Sequence, residues 1–599
     1  MGVTLRKIGY GAAFVVGVPA LMIWWAGATD SIVTLPPLPY PWAGWPAAGL
    51  GLALMLAGMY ALARHGRGLP MNAFPPRHFV TQGAYGWLRH PIYVGFGLVA
   101  LGVAVGTASP AGTWLVTPVT LLALAALVMG YERHDLRRRF GDASRYRPRL
   151  ALPPGDDARP GAWDRVSVYA LVLVPWSAAF EAVYRLGLPR DAVSAYLPFE
   201  TGWPVLQWSE AVYGSAYLLV LAAPLVVPTR RALRHLALTG LVATAAVTLV
   251  YLVVPLVAPP RPFVAQGVLG RMLRFEQAMS HTVAAFPSFH VIWSLIAAEA
   301  WAGRGRWWGA VGWSWAGLIV VSCSTTGMHA VVDLIAAVAA YLLVRRYREI
   351  WAFLRRGAER VANSWREWRW GPVRLINHGF YAAAGGAVAF TIAGTLGGPE
   401  VYGPLLVVHV GGLLGAGLWA QQLEGSPKLS RPYGYYGSVI GAVIAALAVG
   451  GLTGTTMRLF GLVAMEAPWL QAIGRLRCLV QGCCHGSPAP DGIGIRYTRD
   501  HSRVCALGNL KGVPVHPTPL YSILGNLVIG VLLARLWSLG APLSLIAGAY
   551  LMLSGLARFV EESYRGEPQT PIVGGLRLYQ WLAILSFGAG IGLTTLPSG

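Results

Sequence analysis

The chain has 599 residues, of which 55% are hydrophobic and only 12% are charged, with a formal net charge of +22. Soluble domains carry about 25% charged residues, so this composition excludes a soluble globular protein, and the apolar content excludes a disordered chain. Five cysteines are too few for a disulfide-rich scaffold. Membrane proteins gather basic residues in cytoplasmic loops beside anionic head groups, so we expect no nucleic acid partner. We predict a polytopic integral membrane protein.

Apolar runs long enough to cross a bilayer recur along the whole chain. A span needs about 20 residues, and only helices or closed barrels satisfy backbone polar groups in lipid. These runs predict an all-α fold with about sixteen to seventeen transmembrane helices. The predicted spans are 8–28, 44–63, 92–109, 113–131, 167–185, 212–228, 235–257, 290–301, 307–322, 329–344, 376–396, 402–420, 433–452, 516–537, 541–557 and 576–595, with a further one near 455–472.

Two polar, arginine-rich stretches, 132–166 and 345–374, interrupt this pattern and divide the chain into three membrane modules. The second stretch has aromatic residues at helical spacing, as expected of a helix that lies on an anionic membrane surface. The predicted organisation is a first module 1–150, a linker 151–165, a second module 166–345, a basic amphipathic linker 346–372 and a third module 373–599.

The arginine-rich loops also predict an orientation, because basic loops favour the cytoplasmic side of a membrane. If 345–374 is cytoplasmic, then the basic loops 63–90 and 132–166 are cytoplasmic too. The same arrangement puts 258–290 and 323–329 on the extracytoplasmic face. We therefore expect the chemistry of the first module on the cytoplasmic face and that of the second module on the outer face.

The first module contains the ordered elements RHPIYVG (89–95), Glu132 and LRRRFGDASRY (136–146). A carboxylate near several arginines stays ionised and can bind a sulfonium or amino group. The elements resemble the isoprenylcysteine carboxyl methyltransferase and phospholipid methyltransferase group of membrane enzymes. The resemblance implies S-adenosylmethionine as the cofactor, bound by Arg89, His90 and Tyr93, with Glu132 beside the site of methyl transfer. The alternative is an ordinary arginine-rich interfacial loop.

The second module contains APPRPF (258–263), FPSFHV (286–291) and SCSTTGMHAVVD (322–333). This order resembles the type 2 phosphatidic acid phosphatase superfamily, and its inositolphosphotransferase-type branch most of all. The resemblance implies that His329 attacks phosphorus to form a phosphohistidine and that His290 protonates the leaving oxygen. It further implies that Arg261 and Ser288 bind the substrate phosphate.

The spacing of His329 and Asp333, at i and i+4, predicts that they share a helix face and that Asp333 fixes the imidazole tautomer. Two positions depart from the family pattern. Cys323 stands where the third motif usually has Arg, and the Lys expected upstream of Arg261 is absent. Both changes remove positive charge from the expected phosphate site.

The third module contains five ordered motifs: RPYGYYGSVIG (431–441), GRLRCLVQGCCHG (474–486), HPTPLY (516–521), LARFVEESYR (556–565) and LRLYQ (576–580). Together they resemble prolipoprotein diacylglyceryl transferase. That family moves diacylglyceryl from phosphatidylglycerol to the cysteine of a lipoprotein precursor. The resemblance implies a multi-pass protein of a bacterial-type inner membrane.

The motifs of the third module imply roles for particular residues. Arg475 and Arg558 match the catalytic, phosphate-handling arginines, and Tyr436 stands where the family has its catalytic His. Tyrosine is a far poorer base than histidine at neutral pH. The remaining matches imply substrate-binding residues, namely Glu561, Arg565, His516 and Gln580.

The cysteines of the third module suggest a metal site, but their spacing is unfavourable. A zinc site needs about four suitably spaced ligands, and Cys478, Cys483, Cys484 and His485 are too crowded in sequence. We therefore expect no metal ion.

The leading hypothesis is a multi-module membrane lipid-processing enzyme that transfers diacylglyceryl, processes a phosphoester and methylates an acceptor. We expect the second and third sites to share the outer face, so that the second could hydrolyse a phosphorylated product of the third. One alternative is a phospholipid headgroup-remodelling phosphotransferase with a non-catalytic third module. Another is a lipid transporter or scaffold, since inward-facing ionisable residues also suit a transport path.

Overall fold

The computed structural model describes residues 9–68, 74–279, 286–424, 434–566 and 571–596. Residues 431–433, at the start of the first motif of the third module, lie outside the described residues. These residues form a bundle of helices with four short two-stranded ladders. The predicted all-α, polytopic fold class is confirmed.

The first module consists of four long helices and one short helix. Helix α4 starts at Pro91, whose fixed φ and missing N–H suit the first helical position. The helix α5 carries Glu132 near its C-terminal end. The bounds are α1 Gly9–Thr29, α2 Pro41–Gly66, α3 Ala84–Trp87, α4 Pro91–Gly106 and α5 Gly112–Arg145.

The second module has six long apolar or mixed helices around one buried core, with a shorter amphipathic helix at its edge. The side chain of Thr229 caps the N-terminus of α8 by accepting a hydrogen bond from the Ala232 N–H at 3.2 Å. The bounds are α6 Ala162–Arg185, α7 Gln207–Val226, α8 Arg230–Val253, α9 Gly267–Met279, α10 Phe289–Ala302, α11 Arg306–Thr325 and α12 Val331–Arg345. Strands β1 Val193–Ser194 and β2 Leu256–Val257 pair in parallel.

The third module follows a surface helix and a hairpin. The helix α17 ends at Gln481, and the following Gly482 has φ +70°, a left-handed conformation that favours glycine. The helix bounds are α13 Tyr347–Ala362, α14 His378–Gly397, α15 Tyr402–Glu424, α16 Tyr435–Thr453, α17 Thr456–Gln481, α18 Arg503–Ala506, α19 Thr518–Ser538, α20 Leu543–Ser563 and α21 Leu578–Thr594. The antiparallel strand pairs are β3 Glu367–Trp370 with β4 Val373–Ile376, β5 Ile495–Arg496 with β6 Pro514–Val515, and β7 Ile572–Val573 with β8 Leu576–Arg577.

Eleven helices in the described part of the chain are long and apolar enough to cross a membrane. Helices also stand at the other predicted spans, but they are shorter or more polar than these eleven. They are α4, α10, α11, α12, α17 and α21. The number of membrane crossings, about sixteen to seventeen, therefore stays a prediction.

The basic loops of all three modules lie at one end of the bundle, here called the basic end. Contacts between loops show this: Arg147 pairs with Asp164 at 2.6 Å, and Arg230 pairs with the same carboxylate at 2.9 Å. The linker helix α13 reaches the third module there, since Arg355 donates a hydrogen bond to the Gly494 carbonyl at 3.0 Å. Helices of the first and third modules meet there too, because Ser563 Oγ lies 3.2 Å from His134 Nε2.

The other helix termini meet at the opposite end, which carries few basic residues. There the Ser109 hydroxyl donates to Asp30 at 2.8 Å within the first module. Arg535 of α19 forms an ion pair with Asp191, with one N–O distance of 2.9 Å, and so joins the second and third modules. Each end of the bundle therefore combines loops that are distant in sequence.

The first module packs directly against the third. The Gln580 side-chain amide donates to the Gly130 carbonyl at 3.0 Å and to the Phe559 carbonyl at 3.3 Å. Gly130 lets α5 approach α20 closely, because a Cβ there would lie 2.7 Å from the Phe559 ring. Near the opposite end, Trp25 Nε1 donates to Thr594 Oγ1 at 2.8 Å. The contact thus extends along the height of the bundle.

This close approach gives a prediction. Gly130→Ala forces the Phe559 ring or the helix backbone to move, and overpacking of this kind costs about 1–3 kcal/mol. We expect a lower thermal unfolding midpoint for the full chain in detergent, with faster amide hydrogen exchange in α20 near Phe559. Gly588→Ala is the control, because a Cβ at Gly588 meets no heavy atom within 4 Å. Equal midpoints for the two variants would contradict the prediction.

Candidate active sites

The predicted residues of the first module surround one small cavity at the basic end. His90 Nδ1 lies 3.2 Å from Glu132 Oε1, although His90 directly precedes α4 and Glu132 lies in α5. The His90 ring stacks on Tyr93 at 5.9 Å between centroids. The cavity measures about 130 Å³ and is lined by all three residues and by Arg89. The structure therefore brings together the four residues that the methyltransferase resemblance selected.

Neighbouring groups fix the shape of this cavity. Arg89 donates a hydrogen bond to the Ser144 carbonyl at 2.7 Å, which fastens the loop before α4 to the end of α5. The Tyr146 hydroxyl donates to the Tyr85 carbonyl at 3.1 Å, and burial raises the pKa of Tyr146 to about 12. Glu132 Oε2 is buried without a hydrogen-bond partner. The carboxylate thus has one oxygen left for a ligand.

The two histidines of the second module meet at the opposite end. The His290 and His329 rings are 5.7 Å apart between centroids. Ser288 Oγ lies 3.2 Å from His329 Nε2, and Asp333 Oδ2 lies 3.6 Å from His329 Nδ1. Tyr213 OH lies 3.2 Å from His290 Nδ1. All four of the predicted residues Ser288, His290, His329 and Asp333 therefore converge.

The local geometry of His329 differs from the sequence expectation. The helix α12 begins at Val331, so His329 precedes the helix and does not share a face of it with Asp333. Asp333 instead caps the helix, since its Oδ2 accepts a hydrogen bond from the Ala330 N–H at 3.1 Å. A capping carboxylate turned back toward the preceding residue still reaches the imidazole. The pairing was predicted correctly, but its structural basis was not.

Arg261, predicted to hold substrate phosphate, is engaged by the backbone in this structure. Its Nη1 donates to the Trp203 carbonyl at 2.9 Å, and its Nη2 donates to the Ser324 carbonyl. Arg261 is only 6% exposed. These bonds tie the loop before α7 to the end of α11, while Nε of Arg261 is buried without a hydrogen-bond partner. The phosphate-binding role of Arg261 stays a prediction.

Three arginines of the third module converge on one carboxylate near the basic end. Arg558 Nη1 lies 2.9 Å from Glu561 Oε1, and Arg565 Nη2 lies 3.3 Å from the same oxygen. Arg475 Nη2 lies 3.7 Å away from it, while its Nε donates to Ser522 Oγ at 3.0 Å. All of these charged groups are buried. The site gathers four residues that the sequence motifs predicted.

A cavity of about 1120 Å³ opens beside this cluster and is large enough for much of a phospholipid. Arg475, Arg558 and Arg565 line it, together with apolar residues of six helices. Tyr435 also lines it, and its ring lies 5.4 Å from the Arg558 guanidinium. A guanidinium over an aromatic face is stabilised electrostatically. The cavity therefore presents positive charge at one end and hydrocarbon surface elsewhere.

Besides Glu561, which pairs with the arginines, the predicted residues Tyr436, His516 and Gln580 do not line this cavity. Tyr436 is packed between Tyr435 and Tyr579, with its hydroxyl buried and without a hydrogen-bond partner. His516 Nδ1 lies 3.0 Å from Tyr521 OH, and burial lowers the pKa of the His516 imidazole. Gln580 joins the first and third modules, as described above. The substrate-binding roles of His516 and Gln580 stay predictions.

Three of the four cysteines of the third module lie close together. The Sγ atoms of Cys478, Cys483 and Cys484 are within 4.8 Å of one another. Arg475 Nη1 lies 3.5 Å from Cys484 Sγ, so the arginine cluster adjoins the thiols. The three thiols are therefore close enough to approach a single ion, although their spacing in the sequence is short. The expected absence of a metal stays a prediction.

Several polar residues of the third site were missed by the motifs. Glu562 is fully buried and pairs with Arg565 at 3.3 Å. Gln471 Nε2 donates to Tyr550 OH at 2.8 Å beside the cavity. The two adjacent acidic residues in LARFVEESYR could have indicated Glu562 as a site residue. Gln471 and Tyr550 lie in apolar runs, where their polarity was the only indication in the sequence.

The sites of the second and third modules lie at opposite ends of the bundle. The helix α12 starts beside His329 and ends at Arg345, where the basic linker begins. Arg475 and Arg558 lie near the helix ends that meet the loop contacted by that linker. The expectation that these two sites share a face is therefore wrong, and the first and third sites share the basic end instead.

Comparisons with known families place one match in each module. Residues 433–596 match the model of prolipoprotein diacylglyceryl transferase. Residues 185–345 match the model of the PAP2 superfamily, and residues 40–143 match the model of phospholipid methyltransferase. The three resemblances stated from the sequence motifs are confirmed, and each match falls inside one predicted module.

Two curated relatives match the third module. A phosphatidylglycerol–prolipoprotein diacylglyceryl transferase 2 of Clostridium perfringens is 24% identical over 237 residues, which cover 37% of this chain and 90% of the relative. A phosphatidylglycerol–prolipoprotein diacylglyceryl transferase of Clostridium tetani is 23% identical over 202 residues, covering 32% of this chain and 78% of the relative. The comparisons support an enzyme with transferase activity in a multi-pass membrane protein.

The arginine cluster gives a prediction for stability. Glu561→Gln leaves three buried guanidinium groups without their shared counter-charge, and breaking a buried ion pair costs about 3–5 kcal/mol. We expect a clearly lower free energy of unfolding for the full chain in detergent. Glu400→Gln is the matched control, because Glu400 is exposed and pairs with Arg458 at the opposite end. A Glu561→Gln protein as stable as this control would refute the account.

Proposed function

We propose that this chain, which carries the three lipid-enzyme modules matched above, is a multi-module membrane lipid-processing enzyme whose third module transfers diacylglyceryl from a phospholipid. The convergence of Arg475, Arg558 and Arg565 on Glu561 carries the proposal. Buried arginine in a membrane protein is costly unless an anion accompanies it. A phospholipid head group in the adjoining cavity supplies that anion. The phospholipid is phosphatidylglycerol, the substrate class in the names of the clostridial relatives.

The charges of the cluster suit the reaction. Arg577 also pairs with Glu562, so the cluster has four guanidinium groups and two carboxylates and carries two positive charges. The acceptor nucleophile attacks the glycerol carbon that bears the phosphate, and the C–O bond breaks with its electron pair on the phosphate. The acceptor's proton passes to solvent, and the departing phosphate monoester needs none. The arginines stabilise the second negative charge that develops on this leaving group.

The basic end lies in the cytoplasm in this proposal. Most basic loops meet at that end, and such loops favour the cytoplasmic side of a bacterial inner membrane. The first and third sites then work at the cytoplasmic face, and the second works at the outer face. A lipoprotein precursor is one acceptor class for the third site, and its cysteine thiol would have to reach the basic end.

The second module performs phosphoester hydrolysis or phosphotransfer. His329 attacks phosphorus through Nε2, the P–O bond of the ester breaks, and His290 gives the leaving oxygen a proton. Water or an alcohol then takes the phosphoryl group from His329. Asp333 Oδ2, 3.6 Å from His329 Nδ1, favours the positive charge that forms on the imidazole ring. Ser288 positions the attacking nitrogen from 3.2 Å.

The first module uses S-adenosylmethionine, which supplies a methyl group to an acceptor when bound. The unpartnered Glu132 Oε2 and the His90–Glu132 pair fit the cationic part of this cofactor. Tyr93 adds an aromatic face to the same cavity. Arg89 is fastened to Ser144 and shapes the loop. His90, Tyr93 and Glu132 are therefore the residues that would hold the cofactor.

Diacylglyceryl transfer is tested with full-length protein in nanodiscs that contain labelled phosphatidylglycerol. Arg475→Gln removes a guanidinium group that donates hydrogen bonds to the phosphate of the leaving group. We expect release of glycerol phosphate to fall at least about 100-fold, which is typical when a hydrogen-bond donor to the transition state is lost. Arg458→Gln on the same helix is the control, because Arg458 pairs with exposed Glu400 at the other end. Near-normal turnover by a folded Arg475→Gln protein would exclude the proposed role.

Phosphoryl transfer by the second module has its own test. His329→Ala removes the nucleophile, so we expect loss of the acid-labile phosphoprotein formed with labelled phosphatidic acid and of phosphate release. His235→Ala is the control, because His235 lies near Glu299 and Arg345 at the basic end. The proposal fails if His329→Ala keeps the labelled intermediate.

A further inference from the structure

Three cysteines stand beside the arginine cluster of the third module, and the proposed reaction does not use them. Cys478 lies in the last turn of α17, and Cys483 and Cys484 follow shortly after the helix. All three line the large cavity. Within the described residues they are the one group of three or more metal-ligating side chains whose ligand atoms lie within 4.8 Å of one another.

The turn after α17 brings the three thiols together. The Gly482 N–H donates to the Cys478 carbonyl at 2.8 Å, and Gly482 has φ +70°. This left-handed residue reverses the chain, so that the two following cysteines come close to Cys478. A Cβ at Gly482 would lie 2.9 Å from Val504, so packing also requires glycine there. A short spacing in the sequence is therefore compatible with a shared site.

The distance between two of the thiols fits a common metal ion. The Sγ atoms of Cys483 and Cys484 are 3.8 Å apart. Zinc–sulfur bonds of about 2.3 Å in a tetrahedral arrangement place two sulfur atoms about 3.8 Å apart. A disulfide would bring them to about 2.05 Å. The adjacent cysteines therefore have the spacing of a metal–thiolate site.

The surroundings favour the thiolate form that a metal ion needs. Arg475 Nη1 donates to Cys484 Sγ at 3.5 Å, and hydrogen bonds from a cation stabilise a thiolate. Three thiolates and a divalent ion together carry one negative charge. The adjoining arginine cluster, with its two positive charges, offsets that charge.

We propose that Cys478, Cys483 and Cys484 bind a divalent metal ion of the zinc class. Thiolates suit zinc and disfavour magnesium and calcium. Three protein ligands leave the fourth tetrahedral position for water or for a molecule in the cavity. In the proposed orientation the basic end is cytoplasmic, where thiols stay reduced and available to a metal. The assignment replaces the expectation from sequence spacing, and it does not depend on diacylglyceryl transfer.

The direct test is a titration of Co²⁺, a spectroscopic substitute for zinc, into the reduced full-length protein in zwitterionic nanodiscs. We expect one equivalent to bind with the absorption bands of thiolate-bound tetrahedral cobalt, and Zn²⁺ to displace it. The affinity should fall at least 10-fold in Cys478→Ser, Cys483→Ser and Cys484→Ser.

Cys505→Ser is the matched control for this titration. Cys505 is the fourth cysteine of the module, and its Sγ donates to the Tyr497 carbonyl at 3.6 Å. It lies outside the group of three, so we expect its variant to bind cobalt like the unaltered protein. Absence of thiolate-bound cobalt in the unaltered protein, or equal affinity in all four variants, overturns the proposal.

A second measurement uses the unaltered protein and so does not depend on the folding of any variant. We expect one equivalent of Zn²⁺ to slow alkylation of the three cysteines by N-ethylmaleimide at least 10-fold, as mapped by mass spectrometry. Alkylation of Cys505 should keep its rate, and EDTA should restore the reaction of the other three. Equal rates with and without zinc overturn the metal site. Neither measurement uses glycerol phosphate release, so failure of the proposed transfer reaction would leave both results unchanged.

Discussion

The cost of placing charge in a lipid-facing bundle governs this structure. An ionised side chain in the hydrocarbon region must be paired, capped or carried to a helix end. Glu561 meets this demand for three arginines at once, and Asp164 does so for two arginines of separate loops. The polar sites therefore lie where helices end, and the long apolar helices position them.

Buried arginines in this chain either line a cavity or connect loops, and the sequence alone does not distinguish these two roles. Arg475 and Arg558 line the cavity, with a carboxylate partner that leaves positive charge in excess. Arg261 is equally buried, but its guanidinium ties loops together through carbonyl groups. The partners differ: the terminal nitrogens of Arg261 donate to neutral carbonyl groups, whereas Arg475 and Arg558 share a carboxylate.

The order of the motifs predicted which side chains meet. The uncertain number of helices limited the prediction of the membrane face on which each site lies. His90 with Glu132, and His290 with His329, were predicted because ordered motifs imply converging elements. The membrane face of the third site was not predicted correctly. The uncertain span near 455–472 is the helix α17, and one additional or missing helix moves every later loop to the other side of the membrane. The tie between Arg261 and the Trp203 carbonyl depends on a tertiary contact that no local pattern encodes.

The separation of the second and third sites has a consequence for lipid traffic. Opposite ends of a membrane bundle face opposite leaflets, and a charged head group crosses hydrocarbon only at high cost. In the proposed reaction, the charged glycerol phosphate released at the arginine cluster cannot simply cross the bilayer to the paired histidines. In the proposed scheme the two sites therefore draw on different leaflets, and any flow of product between them requires a transport step. One polypeptide acts in this scheme on both surfaces of the bilayer.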